Sequence, residues 1–244
     1  MPECREQIMS EEYADFIGEF GIDEEVLNER YTDFCPQIIN YRYLSLYERL
    51  DGIAPIGLQN YPYSSIPKLF GLMDTTAVAA TGAIRMQNQT GFQLKGQNVI
   101  VGFIDTGIDY TNDVFKTGTG QSRILEIWDQ TDNTGNTPDG FAYGSVYTND
   151  DINRALNSSN PFDIVPHRDT NGHGTAMAGA ACGSYDEQMD FVGAAPESMI
   201  AMVKLKPAKQ YLKDFFFING GEPVYQENDI MLAVSYLLQL KRRY

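Results

Sequence analysis

The apolar run at residues 99–104, followed at once by Asp105, Thr106 and Gly107, constrains the fold of this 244-residue chain more than any other feature. Short apolar runs rich in β-branched residues are typical of strands buried on both faces of a parallel sheet. The Thr-Gly pair predicts a sharp turn at the carboxyl end of the strand, where open parallel sheets bind ligands. Asp105 is therefore a candidate functional carboxylate, although the same pattern also fits an ordinary aspartate in a turn.

A second motif, NGHGT at residues 171–175, opens a run of alanines and glycines that predicts a helix packed closely on a sheet. It places His173 in the first turn of that helix, where Asn171 or Thr175 can cap exposed amides. The helix dipole disfavours an imidazolium there unless a carboxylate offsets it. A buried Asp105 bonded to one ring nitrogen would do so and would leave the other nitrogen as a general base. The two residues are predicted to form a pair.

Three motifs follow one another in the order of a known family: DTGID at residues 105–109, NGHGT at residues 171–175 and FVGAAPESMIAMVKL at residues 191–205. In these motifs the chain resembles the subtilisin-like serine peptidases. The segments IPKLFGLMD and SRILEIWDQT are similar to the clostridial branch that contains the Csp spore-germination proteases. The resemblance, which extends over most of the chain from Cys35 onward, implies an α/β fold: the N-terminal half of a subtilisin-like parallel sheet with helices on both faces.

The resemblance assigns Asp105 and His173 to an Asp-His-Ser triad that hydrolyses peptide or protein substrates through an acyl-serine, without an organic cofactor. The family's oxyanion-hole asparagine and serine nucleophile are expected beyond Tyr244, so the chain alone is expected to be a truncated, inactive fragment. Many relatives bind calcium through an aspartate near the position of Asp113, but the sequence assigns no metal ligand. The branch also implies a spore-associated location as an alternative to the cytoplasm.

Two other functions stay open. The Csp branch includes pseudoproteases with altered triads, so the chain can also be a non-catalytic, regulatory binding protein. The DTG motif also occurs in aspartic peptidases, in which two copies share a proton between paired carboxylates. Only one copy occurs here, so that activity would require a homodimer, and Ile108 stands where a small residue is expected.

Residues 1–65 are predicted to form a small α+β domain ahead of a catalytic-like unit at residues 66–244, with the segment YPYSS at the boundary. The domain is expected to contain a helix over residues 11–31 and a strand over residues 37–47. By resemblance, it corresponds to a propeptide, a folding chaperone that the enzyme removes by cutting near Tyr63.

The second unit is predicted to contain a helix over residues 75–82, a strand at residues 124–128 and a final helix over residues 229–240. Residues 115–166 are rich in Gly, Asn and Asp and predict surface loops around the strand.

Charge and composition exclude several partners. The chain carries 33 acidic and 18 basic residues, a net charge of −15, which disfavours nucleic acid and anionic membrane surfaces as partners. No apolar run is long enough to span a bilayer, and the acidic N-terminus differs from a secretory signal. Three cysteines are too few for a disulfide framework, so a reducing compartment such as the cytoplasm is expected.

Two further residues, His167 and Cys182, are predicted to have no catalytic role. His167, the only other histidine, is predicted to be a solvated loop residue, and no family spacing supports a metal site built from His167, Asp169 and His173. Cys182 lies nine residues beyond His173 on the same predicted helix, too far away for a Cys-His pair, and is predicted to be a core residue.

Overall fold

The computed structural model describes residues 2–21, 31–71, 94–186, 191–221 and 223–244. In chain order its helices and strands are α1 (Pro2–Met9), β1 (Tyr13–Glu19), β2 (Gln37–Ile38), β3 (Tyr43–Arg49), β4 (Leu69–Gly71), β5 (Ile100–Asp105), β6 (Ile124–Asp129), β7 (Ser145–Thr148), α2 (Asn149–Leu156), α3 (His173–Cys182), β8 (Met199–Lys204), α4 (Gln210–Phe215), β9 (Val224–Gln226) and α5 (Glu227–Leu240). The fold is α/β, as predicted. The predicted helix at residues 75–82 lies outside the described residues.

The chain divides into two compact units. The first comprises Met1–Gly71, Thr137–Gly144 and Lys206–Tyr244, and the second comprises Leu72–Asn136 and Ser145–Leu205. The first unit contains the whole of the predicted domain 1–65, but two later segments pack with it. The division into residues 1–65 and 66–244, with residues 1–65 as a propeptide, stays a prediction.

In the first unit, the segment predicted to be a helix over residues 11–31 begins as a strand. Strand β1 pairs antiparallel with β3 along its whole length, from Tyr13 opposite Arg49 to Glu19 opposite Tyr43. The helix prediction is therefore wrong over Tyr13–Glu19, because pairing with β3 overrides the helical preference of the acidic residues. Residues 22–30 lie outside the described residues.

The predicted strand at residues 37–47 is present in two pieces. Strands β2 and β3 are separated by a turn in which the Asn40 side chain accepts hydrogen bonds from the backbone amides of Arg42 and Tyr43. The side chain of asparagine stabilises such turns by replacing a backbone acceptor. The result is a three-stranded antiparallel sheet in the order β1-β3-β2, and β4 pairs separately with β9.

A buried network of charged and polar side chains connects the N-terminal sheet to the last segment of the first unit. Asp15 on β1 forms an ion pair with Lys209 and accepts hydrogen bonds from Gln226 at 2.7 Å and Asn228 at 3.1 Å. All four residues are buried. Removing one member of such a network leaves the others without partners in a dry environment, so residues 1–21 are tied to residues 206–244 by polar contacts.

A disulfide links Cys4 on α1 to Cys35 ahead of β2, with 5.3 Å between the Cα atoms. The three cysteines were predicted to form no disulfide framework, and this single bond removes the argument from cysteine number for a reducing compartment. The pairing could not be deduced from spacing, because three cysteines in a chain of this length define no framework. Cys182 is a buried free thiol, as predicted for a core residue.

The second unit is built on a four-stranded sheet in the order β5-β8-β6-β7. Strands β5, β8 and β6 run parallel, and β7 is antiparallel to β6. The predicted strands at residues 99–104 and 124–128 are present. Burial differs from the prediction for β5, which lies at the edge of the described sheet and has only Asp105 buried, whereas every residue of β6 is buried.

Residues 115–166 contain more regular structure than predicted. Besides β6 they form β7 and α2, so the prediction of surface loops is wrong there. An aspartate of this stretch caps a helix instead of belonging to a loop: Thr148 and Asp151 form a capping box at the start of α2. Behind the sheet, Ala178 and Cys182 of α3 are buried in one core with Ile200 and Met202 of β8.

The disulfide is expected to contribute measurably to stability. Replacing Cys4 with Ser should lower the free energy of unfolding by about 3–4 kcal/mol, because the bond closes a loop between residues 31 positions apart. Urea denaturation with and without dithiothreitol measures this change in the free energy of unfolding. Cys182→Ala is the matched control, since it keeps the disulfide and its sensitivity to reductant. Three titratable thiols in the unreduced, unfolded wild type would contradict the pairing.

Candidate active site

Asp105 and His173 lie in contact at the carboxyl end of the parallel strands. His173 Nδ1 is 2.8 Å from Asp105 Oδ1 and 3.0 Å from Oδ2. The side chains are 12% and 16% exposed, respectively, so the pair is shielded but reachable. An ionised carboxylate only accepts, so Nδ1 carries the proton and, in a neutral ring, Nε2 is the nitrogen that can take up another. This geometry suits a general base held by a carboxylate.

The sequence DTG orients Asp105 through the turn that follows β5. The Thr106 amide donates to Asp105 Oδ1 at 2.7 Å, which fixes the carboxylate against its own backbone. Gly107 has φ of +122°, a conformation that side chains disfavour. Helix α3 approaches closely: a Cβ added to Gly174 would lie 2.2 Å from the Gly107 carbonyl oxygen. Both glycines are needed for the turn and the helix to meet.

His173 begins α3, as predicted, directly after Gly172 in the left-handed conformation. Asn171 accepts a hydrogen bond from the His173 amide at 3.2 Å, so this predicted capping residue does bond to the first turn. Thr175 does not cap the helix start. Its hydroxyl accepts from the backbone amide of Asp109 at 2.8 Å and so connects α3 to the DTGID segment.

Asp169, which the sequence analysis considered only as a metal ligand, is a structural residue of the site. Its Oδ1 accepts from Thr106 Oγ1 at 2.8 Å and from the Gly172 amide at 2.9 Å. Its Oδ2 accepts from the amide and hydroxyl of Thr175 at 2.9 and 2.6 Å. Burial opposes ionisation, but hydrogen bonds from Thr175 and Gly172 outweigh it and lower the pKa of Asp169. The local signal for this role is the position of Asp169, three residues before Gly172 at the start of α3.

His167 is buried rather than solvated, so the prediction of a loop residue in water is wrong. It is 1% exposed, its Nδ1 is 2.6 Å from Asp129 Oδ2, and its Nε2 accepts from the Ile108 amide at 3.1 Å. Burial opposes the charge of Asp129, but the hydrogen bond from His167 and the positive charge of Lys204 lower the pKa of Asp129 to about 2. A second imidazole–carboxylate pair thus lies beside the DTG turn.

The described residues contain no group of three or more His, Cys, Asp or Glu side chains arranged to hold a metal ion. The two histidines contact different carboxylates, so His167, Asp169 and His173 do not form a ligand set. Asp113 is paired with Lys116 at 2.6 Å. Calcium binding near Asp113 stays an untested expectation.

A family comparison assigns the class of protein that this fold and site define. The model of the subtilase family, peptidase family S8, matches residues 96–232, which is more than half of the chain. The chain belongs to the subtilase family. The matched region contains both Asp105 and His173 together with the sheet of the second unit. The aspartic-peptidase hypothesis is left without support, since the side chain facing Asp105 is an imidazole.

Two known proteases are similar to this chain. The structure is similar to that of the CspB protease of Clostridium perfringens, with 34% identity and a TM-score of 0.53 over 66% of this chain and 30% of that one. The chain is also 29% identical over 135 residues to the subtilisin-like protease SBT3.6 of Arabidopsis thaliana, covering 49% of this chain and 17% of the plant protein. The Csp-type resemblance is thereby confirmed, and the chain spans less than a third of either relative.

Across the described ranges, no helix is long and apolar enough to cross a bilayer.

Asp169 should matter for stability more than other surface-reaching carboxylates. Asp169→Asn is expected to lower the free energy of unfolding by about 1–2 kcal/mol, because it weakens several charge-assisted hydrogen bonds at a partly exposed site. Asp163→Asn, an exposed carboxylate at the end of a 3₁₀ turn, is the control. Urea unfolding of both variants provides the measurement, and equal costs for the two would contradict the assignment.

The ionised Asp129 should give the chain an acid-sensitive component of stability. Its pKa falls from 3.8 to about 2 on folding, so it contributes about 2 kcal/mol above pH 3.8 that is lost as pH falls toward 2. The stability difference between wild type and Asp129→Asn should therefore shrink when urea unfolding is repeated at pH 6 and pH 3. A difference of constant size would show that the charge of Asp129 is not responsible.

Proposed function

We propose that the chain is the N-terminal part of a serine endopeptidase in which Asp105 and His173 are two members of an Asp-His-Ser triad. The observation that carries the proposal is the 2.8 Å contact between His173 Nδ1 and Asp105 at the carboxyl end of β5. Membership of the subtilase family supports it, and the structural similarity to a protease of the Csp type adds to that support.

The proposed mechanism uses the two ring nitrogens of His173 for different tasks. Asp105 holds the Nδ1 proton, so Nε2 can remove the proton of a serine hydroxyl as its oxygen attacks the carbonyl carbon of the scissile peptide. The positive charge that forms on the imidazole is stabilised by the Asp105 carboxylate. His173 then gives the same proton to the leaving amine, and an acyl-serine remains for water to hydrolyse.

The serine and the oxyanion donors are proposed to come from polypeptide outside these 244 residues. Family members carry these groups later in the chain than the segment matched here, and this chain spans only 30% of the CspB protease chain. The 244 residues alone should therefore hydrolyse peptides negligibly, because the nucleophile and the oxyanion hole account for many orders of magnitude of rate.

Residues 1–65 are proposed to act as a propeptide with a processing site near Tyr63. The segment Tyr63–Ser65 forms a 3₁₀ turn with no buried residue, and the Tyr63 ring is 54% exposed. An accessible aromatic side chain in a turn without buried residues suits the entry of this segment into a protease site. The contacts of Asp15 with Lys209 and Asn228 would let the segment assist folding of residues 206–244.

A serine-hydrolase probe tests the triad. If the reading frame continues beyond the codon for Tyr244, the extended protein should be labelled by a fluorophosphonate. His173→Ala should abolish labelling, and Asp105→Asn should slow it by a factor on the order of 10³–10⁴, because the ring loses its orienting carboxylate. The control is Asp163→Asn, which changes an exposed carboxylate outside the proposed triad. This variant should be labelled as the wild type is.

The opposite outcome has a defined meaning. An extended protein that folds but never labels, or a downstream sequence without a serine in a helix-opening small-residue turn, would contradict the proposal. The chain would then be a non-catalytic member of the family that retains the Asp105–His173 contact for structural reasons.

A further inference from the structure

The DTG turn contacts a second histidine whose role the triad does not explain. His167 and Asp129 have side-chain exposures of 0% and 2%, so neither can exchange protons directly with a bound peptide. The pair nevertheless reaches the residues next to Asp105: the Ile108 amide donates to His167 Nε2 at 3.1 Å. A buried imidazole–carboxylate pair is thus hydrogen-bonded to the backbone three residues after the candidate catalytic carboxylate.

The contact with Ile108 fixes the proton distribution in the His167 ring. A backbone amide can only donate, so Nε2 carries no proton and Nδ1 donates to Asp129 Oδ2 at 2.6 Å. Asp129 is in turn held by Lys204, whose ammonium lies 3.5 Å away, and by the Thr131 amide at 2.9 Å. The ring therefore has one tautomer and one orientation.

The His167 ring also packs against the glycine of the turn. A Cβ added to Gly107 would lie 3.0 Å from His167 Cε1, and a Cβ added to Gly174 would lie 2.2 Å from the Gly107 carbonyl oxygen. Gly107 is therefore in close contact with both the His167 ring and the start of α3. Movement of the ring would shift the backbone against which the His173 helix begins.

We propose that His167 is a positioning residue for the Asp105–His173 pair, acting through its hydrogen bond to the Ile108 amide. The inference rests on the proposed function for its catalytic meaning, but the positioning itself is a structural claim. Asp129 and Lys204 hold the ring, the ring holds the Gly107–Ile108 backbone, and that backbone sets where the Asp105 carboxylate meets His173.

Two nearly isosteric variants separate the two contacts of His167. In His167→Gln the side-chain oxygen can replace Nε2 and accept from Ile108, but the donor to Asp129 is lost. In His167→Asn the side-chain amide can replace Nδ1 and donate to Asp129, but the acceptor for Ile108 is lost. Positioning through Ile108 requires the asparagine variant to disturb the candidate pair and the glutamine variant to preserve it, whichever of them unfolds more easily.

The readout is nuclear magnetic resonance of the uniformly ¹⁵N-labelled 244-residue chain, which reports backbone amides as well as the ring nitrogens of the two histidines. His173 should show an Nδ1 proton protected by Asp105, and His167 should show an unprotonated Nε2. In His167→Asn the Ile108 amide should exchange with solvent about tenfold faster, as expected for one lost hydrogen bond, and the His173 Nδ1 proton should broaden. In His167→Gln both signals should resemble those of the wild type.

The variant Ile152→Val controls for a general loss of stability, because Ile152 is buried in the core of the same unit. This substitution should leave both histidine signals unchanged. The proposal is overturned if the Asn and Gln variants disturb His173 equally, if neither disturbs it, or if the disturbance follows global stability across all three variants. Fluorophosphonate labelling of the extended protein separates this test of positioning from the test of the triad. Failure of the wild type to label contradicts the triad, whereas the spectra test positioning independently.

Discussion

The close approach of the DTG turn and the start of α3 makes a pair out of two residues separated by 68 positions in the sequence. It depends on the absence of side chains at Gly107 and Gly174, because a Cβ at Gly174 would overlap the Gly107 carbonyl oxygen. Asp169 then joins the two segments by accepting hydrogen bonds from Thr106 and from the first turn of α3. Two glycines permit the contact, and one ionised carboxylate holds it.

The second unit contains two imidazole–carboxylate pairs with similar local geometry, and burial distinguishes what they can do. The Asp105–His173 pair is partly exposed at the strand ends, so a substrate can reach its ring. The Asp129–His167 pair is enclosed, and a backbone amide occupies the second nitrogen of its ring. The same chemical group is therefore accessible in one place, as the proposed function requires, and bonded to backbone in the other.

The elements that carry the Asp105–His173 pair could be predicted from sequence because their signals are local. The strand before Asp105, the turn after it and the helix beginning at His173 each depend on a few adjacent residues. His167, Asp129 and Asp169 were not assigned their contacts because these depend on tertiary packing between distant segments. For the same reason, the sequence alone predicts a helix over Tyr13–Glu19, where pairing with β3 imposes a strand, and the pairing of Cys4 with Cys35 has no sequence signature.

The disulfide has a consequence for how fragments of the N-terminal region would behave. Cys4 and Cys35 lie on either side of residues 5–34, so hydrolysis of any peptide bond within that stretch leaves the two pieces covalently joined. A nick there would be invisible on a non-reducing gel and would appear only after the sulfur–sulfur bond is reduced. A cut near Tyr63, by contrast, lies outside the loop and would change the apparent mass under either condition.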